Sequence, residues 1–305
     1  MPARHQTENN TVVVSLSVGR LCSRHKMVGK RGEALATQML QTQVVSRPFD
    51  VPVPRSDRNQ LEFIDASVAF GALNVLQPIN LSVRVGEFVA VVGPSGCGKS
   101  TLLNLVAGML APATGKIIFN DSEVRGPNRD VGYITQKNYC LPWRTVEDNI
   151  KLPLEFRNYQ SAEISRRASE AVRQVGLVGF EKAYPNQLSG GMLQRVMIAR
   201  TLAYNPSTYL MDEPFGSLDA QLRVRMQSDL LSLWRSTGAT FIFVTHDLQE
   251  AVALADRVVV ISRRPGRIKL VLDIDLPRPR DVVEIQSHPK FGEYIQQLWA
   301  CLDVQ

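Results

Sequence analysis

Residues Phe88–Thr101 read Phe-Val-Ala-Val-Val-Gly-Pro-Ser-Gly-Cys-Gly-Lys-Ser-Thr. Val89, Ala90, Val91 and Val92 form a short, continuous apolar run bounded by glycine, which predicts a strand buried on both faces. Gly93, Pro94, Ser95, Gly96, Cys97 and Gly98 follow as a loop, and Lys99, Ser100 and Thr101 open a helical pattern carried by Leu102, Leu103, Val106 and Met109. Pro112 and Gly115 are expected to stop that helix. The pattern is GxxxxGK(S/T), set out as strand, loop and helix.

That order points to phosphate chemistry, because binding a phosphate depends on backbone geometry more than on any one side chain. Glycines let successive N–H groups converge on an anion, and the helix N-terminus adds partial positive charge worth roughly 0.3–2 kcal/mol. Lys99 can then reach the β- and γ-phosphates of a nucleoside triphosphate, and the Ser100 hydroxyl can ligate Mg²⁺.

The chain has 305 residues, 44% of them apolar and 21% charged, the composition of an ordinary globular protein with a sizeable core. No apolar run reaches the roughly 18–20 residues that a membrane-spanning helix needs. The net charge of +6 suggests a nucleic-acid partner until it is located. Nine basic residues (Arg4, Arg20, Arg24, Lys26, Lys30, Arg31, Arg47, Arg55, Arg58) and four acids (Glu8, Glu33, Asp50, Asp57) lie in residues 1–58, leaving +1 for everything after them. A basic nucleic-acid-binding face on the folded part is therefore not expected. Cys22, Cys97, Cys140 and Cys301 are scattered, with no CxxC and no histidines at metal spacing, so a reducing compartment is the simplest setting. Because Cys97 lies inside the loop, a bulky thiol reagent is expected to block phosphate binding.

Residues 1–57 show no sustained periodicity, end in Pro48, Pro52 and Pro54, and read as a basic, disordered extension. A presequence, a tether to an anionic membrane or a start codon set too far upstream stay open for them. From Leu61 the sequence alternates through Phe63, Ile64, Val68 and Phe70, then Leu81, Val83 and Val85, which predicts short strands joined by turns. Phe70, at a strand end, is placed to stack on a nucleotide base. Lys116–Asn120 and Asp130–Thr135 read as further strands, the second delivering Gln136 into a loop. Ile164, Ala168, Ala171, Val172 and Val175 then share one helical face.

Three later segments each place polar residues at an element's end. Leu188-Ser189-Gly190-Gly191-Met192 precedes a helix carried by Val196, Ala199, Leu202 and Ala203, a second anion-ready N-terminus. Tyr209-Leu210-Met211 runs into Asp212-Glu213, and Phe241-Ile242-Phe243-Val244-Thr245 into His246. Strands alternating with helices predict a largely parallel sheet, whose ligand crevice lies at the carboxyl ends of the strands. Phosphoryl transfer to water needs charge neutralisation, an oriented nucleophile and a contact on the γ-phosphate. Asp212 is placed to hold Mg²⁺ with Ser100. Glu213, on the opposite side of the extended backbone, is free to polarise the attacking water. Gln136 could bridge metal and water, and His246 could contact the γ-phosphate.

Over about residues 60–280 these motifs resemble the ATP-binding subunit of an ABC transporter. Gly93–Ser100 is similar to the Walker A motif, Gln136 to the Q-loop, Leu188–Met192 to the LSGGQ signature and Tyr209–Glu213 to the Walker B strand with its catalytic glutamate. Ser217-Leu218-Asp219 is similar to the D-loop and His246 to the switch histidine, and Phe70 falls where that family places its adenine-stacking aromatic. The resemblance implies an α/β P-loop ATPase domain over residues 58–280, with a parallel sheet, an antiparallel β subdomain and an inserted helical subdomain at about 138–205. A C-terminal helical tail follows at 281–305. ATP and Mg²⁺ are the implied ligands: Phe70, Gly93 to Thr101, Ser189, Gly190, Gly191 and Asp219 contact the nucleotide. Ser100, Gln136 and Asp212 serve the metal, and Lys99, Gln136, Glu213 and His246 the reaction.

The resemblance further implies that two such subunits, identical or not, sandwich two ATP molecules, the phosphate loop of one facing Ser189-Gly190-Gly191 of the other. They would drive transmembrane permease subunits from the cytoplasmic face of the inner membrane, with a solute-binding protein as an indirect partner. Met192 stands where that family usually has glutamine. With Leu141-Pro142-Trp143 and Arg264-Pro265-Gly266-Arg267-Ile268, it is similar to the branch importing nitrate, sulfonates, taurine and related small solutes. A non-transport ABC ATPase working on nucleic acid or ribosomes is the alternative. It is disfavoured by the near-neutral folded part and by the lack of extended heptads.

Overall fold

The computed structural model describes residues 57–136, 139–216 and 218–302. Apart from Asp57, the extension read over residues 1–57 lies outside them, as does Ser217. The described residues open with an antiparallel hairpin, β1 (Asn59–Phe70) and β2 (Leu73–Arg84), followed by β3 (Phe88–Val92) and helix α1 (Lys99–Val106). After β4 (Thr114–Phe119), β5 (Ser122–Glu123) and β6 (Val131–Ile134) come three helices, α2 (Val146–Glu155), α3 (Ser161–Gln174) and α4 (Gly190–Leu202). Strand and helix then alternate: β7 (Thr208–Asp212), α5 (Ala220–Thr237), β8 (Thr240–Thr245), α6 (Leu248–Leu254), β9 (Arg257–Ile261), β10 (Ile268–Asp273) and α7 (Pro289–Cys301).

These strands make two sheets. One is antiparallel in the order β2-β1-β4-β5, and the other has the order β10-β9-β3-β8-β7-β6, parallel except for β10. Every residue of β3, β7 and β8 is buried, as their unbroken apolar runs predict. The two-residue period of a strand sends alternate side chains into different cores. Phe88, Ala90, Val92, Tyr209, Met211, Phe241 and Phe243 pack with Trp234 of α5, Ala251 of α6 and Phe291 of α7. Val89, Val91, Leu210, Ile242 and Val244 pack with Leu102 and Val106 of α1 and with Leu61 and Val83 of the antiparallel sheet. The parallel sheet is thus covered on both sides. On the first side Phe241 is stacked between Phe88 at 5.3 Å and Tyr209 at 4.7 Å, each ring adding roughly 0.5–1.5 kcal/mol beyond its buried area.

A third apolar cluster is built by the three helices between β6 and β7: Val146, Ile150 and Leu154 of α2, Ala168, Ala171 and Val172 of α3, and Val196 and Ala199 of α4. The face read from Ala168, Ala171 and Val172 is the one α3 buries. Residues after 280 pack back onto the main core through Phe291 and Leu298. Arg280, itself buried, donates to the carbonyls of Ala255 (2.7 Å) and Ile274 (3.1 Å), fastening that segment to the end of α6.

Two local expectations fail. The hairpin strands are 12 residues each, not short. Register shifts absorb the irregular spacing, one of them between Phe63 and Ala66 where Asp65 takes φ 47°. Helix α1 ends at Val106, before Met109 and Pro112 are reached, and Met109 is exposed. Gly108 supplies the stop: it turns to φ 67°, and a Cβ there would lie 1.8 Å from the Gly126 carbonyl oxygen. No helix among the described residues is long and apolar enough to cross a membrane.

Candidate active site

The loop after β3 wraps around the first residue of α1. Lys99 is buried, and its Nζ donates to the carbonyls of Gly93 at 2.8 Å and Pro94 at 3.2 Å. Gly98, the residue before the helix, takes φ 108°, and a Cβ there would sit 2.5 Å from Leu76 Cδ2, so only glycine fits. Ser95 and Gly96 are exposed, leaving the loop rim open to an anion. Arg264, read from the sequence only as part of a branch-level cue, holds that rim: from the loop after β9 it donates Nε and Nη2 to the Gly96 carbonyl at 3.2 and 2.9 Å. Its Arg-Pro-Gly-Arg setting is distinctive, but 168 residues separate it from its acceptor, beyond any local pattern. Cys97 is buried, and burial pushes its thiol up. A bulky thiol reagent is therefore expected to react slowly with the resting protein, although its adduct would block the loop.

Three side chains converge on the Glu213 carboxylate. Lys99 Nζ lies 3.8 Å from Oε1, Gln136 Nε2 donates to Oε2 at 3.3 Å, and His246 Nδ1 lies 3.3 Å from the same oxygen. A carboxylate only accepts, so the His246 contact is a hydrogen bond in the tautomer carrying its proton on Nδ1. Each residue arrives from a different element: Lys99 from α1, Gln136 just past β6, Glu213 just past β7 and His246 just past β8. Parallel pairing of β6, β7 and β8 brings the last three to one sheet edge. Strand alternation is expected from the sequence to aim Glu213 away from Asp212, and the structure corrects this. The strand ends at Asp212, and Glu213 takes φ 46° while its N–H donates to the Val244 carbonyl at 2.9 Å. A left-handed residue with a side chain costs on the order of 1–3 kcal/mol and recurs at functional sites.

Beside Glu213, Asp212 is 8% exposed. Burial pushes its carboxyl above the usual range. The Ser100 hydroxyl hydrogen-bonded to it pulls the other way, the Glu213 charge adds to the rise, and Lys99 opposes it. A serine hydroxyl beside a buried, under-compensated carboxylate offers only oxygen donors, the set that suits Mg²⁺, which takes one or two protein ligands and otherwise substrate phosphate and water.

The remaining candidates sit at a strand end, at two helix caps and in the first turn of α1. Phe70 closes β1 with its side chain exposed. Ser189 caps α4, its Oγ accepting from the Met192 N–H at 3.3 Å; Gly190 beside it is exposed, and Gly191 is buried against Leu222. Asp219 caps α5 by accepting from the Leu222 N–H at 3.0 Å. Thr101 is half-buried in the first turn of α1.

A phosphate loop after the central strand, an acidic pair ending its second neighbour, and a three-helix block between β6 and β7 together define a P-loop ATPase with an inserted helical unit. The chain belongs to the ABC transporter family, whose pattern matches residues 76–216. An uncharacterised ABC transporter ATP-binding protein of Methanocaldococcus jannaschii is 50% identical over 226 residues, covering 74% of this chain and 83% of that protein. An aliphatic sulfonates import ATP-binding protein of Bacillus licheniformis is 46% identical over 207 residues, 68% of this chain and 80% of that one. A solved ATP-binding cassette, a dimer in a post-hydrolysis state bound to ADP and Pi, superposes with a TM-score of 0.63 at 31% identity, covering 70% of this chain and 98% of that chain. This chain is an ABC ATP-binding subunit and an ATPase.

Proposed function

We propose that the chain powers an importer of sulfonates or a related small solute, including nitrate and taurine. In this reading it hydrolyses ATP as a pair of copies or with a similar subunit, bound to transmembrane permease subunits on the cytoplasmic face of the membrane. The convergence of Lys99, Gln136 and His246 on Glu213 carries the chemical part. The sulfonate-import relative supports the transport part, and the dimeric cassette supports pairing.

The triphosphate enters the phosphate loop, where Lys99 exchanges the Gly93 and Pro94 carbonyls and the Glu213 carboxylate for phosphate oxygens. Glu213, freed from Lys99, accepts a proton from the attacking water as general base. His246 orients that carboxylate and contacts the γ-phosphate, and Gln136 positions the water from the other side. Ser100 and Asp212 would hold Mg²⁺, which neutralises charge developing on the phosphates. Ser189, Gly190 and Gly191, at the start of α4, contribute N–H groups to the nucleotide on the opposite copy, with Asp219 beside them. Phe70 stacks on adenine. The exposed Tyr139, Trp143 and Phe156 on the helical block offer an apolar surface to a permease.

Glu213→Gln tests the chemistry: turnover should fall on the order of 10²–10⁴-fold with ATP affinity kept, and the variant should elute as a dimer with MgATP. Near-normal turnover would remove Glu213 from the mechanism. Uptake of a labelled alkanesulfonate, compared between cells with and without the chain, tests the transport reading. Equal uptake, together with no multi-span membrane protein co-purifying, would overturn it.

A further inference from the structure

A second group of polar side chains lies directly behind the catalytic cluster and takes no part in the chemistry described above. Its centre is Glu250 on α6, four residues after His246 and 7% exposed. One carboxylate oxygen, Oε2, accepts from the Thr245 hydroxyl at 2.6 Å. The other, Oε1, accepts from Gln227 Nε2 of α5 at 3.0 Å and lies 3.8 Å from Arg223 Nε of the same helix. Thr245 and Gln227 are as buried as Glu250. Arg223 reaches in two further directions: its Nη1 lies 3.8 Å from Asp247 Oδ2, and its Nη2 donates to the Leu218 carbonyl at 3.1 Å. The Asp247 N–H donates back to Thr245 Oγ1 at 3.0 Å, so both neighbours of His246 are tied into the group.

The arrangement is costly where it stands. Burial is the main influence on Glu250 and pushes its carboxyl up, opposed by the Thr245 hydrogen bond and Arg223. An apolar residue would pack α6 against α5 without that desolvation. What an apolar residue could not supply is direction. The carboxylate fixes the hydroxyl of Thr245 at the end of β8, and the same carboxylate and Arg223 refer that position to residues 218–219, where α5 begins. His246 must keep its Nδ1 within hydrogen-bonding distance of Glu213 from a side chain that is itself largely exposed. Its aim is therefore set by the backbone on either side, not by packing.

We propose that Glu250, through Thr245 and with Gln227 and Arg223, is a positioning residue for His246, coupling its placement against Glu213 to the Leu218-Asp219 segment at the start of α5. This rests on the assignment of Glu213 and His246 to the reaction. In a paired state, a partner pressing on Leu218-Asp219 would shift Arg223, and through Glu250 the peptide that carries His246. Binding of ATP, made by the phosphate loop, would not require the strut.

The experiment compares Glu250→Gln, Thr245→Val and Thr245→Ser with Glu213→Gln and His246→Ala in the full chain. Thr245→Val is nearly isosteric and exchanges the hydroxyl for a methyl group, so it serves even where Glu250→Gln lowers the yield of folded protein. In both Glu250→Gln and Thr245→Val, kcat should fall on the order of 10–100-fold, the loss that misplacing a catalytic group by about 1 Å produces. Their Kd for ATP should stay within about two-fold, their melting temperatures should fall by no more than the loss of one buried hydrogen bond produces, and Thr245→Ser should recover most of what Thr245→Val loses. An unchanged kcat in Glu250→Gln and Thr245→Val, beside inactive Glu213→Gln and His246→Ala, overturns this inference alone. So does a parallel fall of kcat, ATP affinity and melting temperature, which would mark the group as ordinary core. Normal turnover in Glu213→Gln and His246→Ala would instead overturn the assignment beneath it.

Discussion

The two ends of the parallel sheet bury the same kinds of group and treat them differently. At the amino ends, Glu87 accepts from the Arg84 N–H at 2.8 Å and from Arg257 Nη2 at 2.9 Å, while Asp256 accepts from the Phe88 N–H at 3.1 Å and from Arg278 Nη2 at 2.9 Å. Each acid there has a guanidinium at hydrogen-bonding distance and a backbone donor besides. At the carboxyl ends, Asp212 has a serine hydroxyl, and Glu213 has a lysine at 3.8 Å and the Gln136 and His246 contacts at 3.3 Å. One end is closed by its own cations; the other keeps acceptor capacity, and a cation that can be drawn away, for a ligand. Buried acids alone therefore do not mark a site. Loose pairing at the strand ends where a parallel sheet opens its crevice does.

The largest expected effect breaks the functional side of this contrast. Glu213→Gln should cost on the order of 10²–10⁴ in turnover while leaving unfolding by urea nearly unchanged, because glutamine keeps the left-handed backbone cost and the lost ion pair to Lys99 is long. Asp256→Asn should do the reverse. Removing one charge from the buried Asp256–Arg278 pair leaves the other under-compensated, a loss of about 2–3 kcal/mol in unfolding free energy, with Kd for ATP unchanged. If Asp256→Asn weakened ATP binding as much as it weakened folding, the two ends would not be separable. Arg264→Ala sharpens the contrast within the site itself. Losing the two hydrogen bonds to Gly96 should raise Kd for ATP about two- to ten-fold in a fluorescent-nucleotide titration, through a looser loop, with kcat at saturating ATP little altered.

The sequence made part of this contrast readable. Gly93–Thr101 could be read because consecutive residues carry the whole geometry, and Asp212-Glu213 and His246 because each follows an apolar run that can only be a buried strand. That Lys99, Gln136 and His246 meet on a single carboxylate follows from the pairing of β6, β7 and β8, which periodicity suggests but does not order. The left-handed turn at Glu213 was not readable, since a glutamate adopts it only when surrounding structure imposes it. The contact of Arg264 with the phosphate loop and the role of Glu250 escape the sequence for different reasons. Arg264 finds its partner through a loop fold with no local signature, and Glu250 looks like an ordinary polar position on a short helix until α5 is laid over it. Met109 misled in the opposite sense: it continues the helical spacing of Leu102, Leu103 and Val106, yet the left-handed Gly108 intervenes.

The smallest effect tests which force governs the closed end. Glu87 sits in an ion pair, and the habitual expectation is a carboxyl held low by its partner. Burial instead is the largest influence and pushes its carboxyl above 4.5, with the Arg84 N–H and Arg257 only partly offsetting it. A carboxyl whose folded value is raised binds its proton more tightly in the folded protein than in the unfolded chain. Its contribution to stability is then fully present below about pH 4.5 and is lost as pH rises through the folded value. Glutamine at this position carries no such dependence, and the unpaired Arg257 left behind adds a penalty that does not change across this range. The unfolding free energy of the parent minus that of Glu87→Gln, measured in urea at steps from pH 4 to pH 7, should therefore fall as pH rises. The other raised carboxyls, Asp212, Asp229 and Glu250, are common to both proteins and cancel in the difference. A difference that grows with pH would mean that Arg257 outweighs desolvation, so that the closed end is held by net attraction between its charges and not by the packing around them.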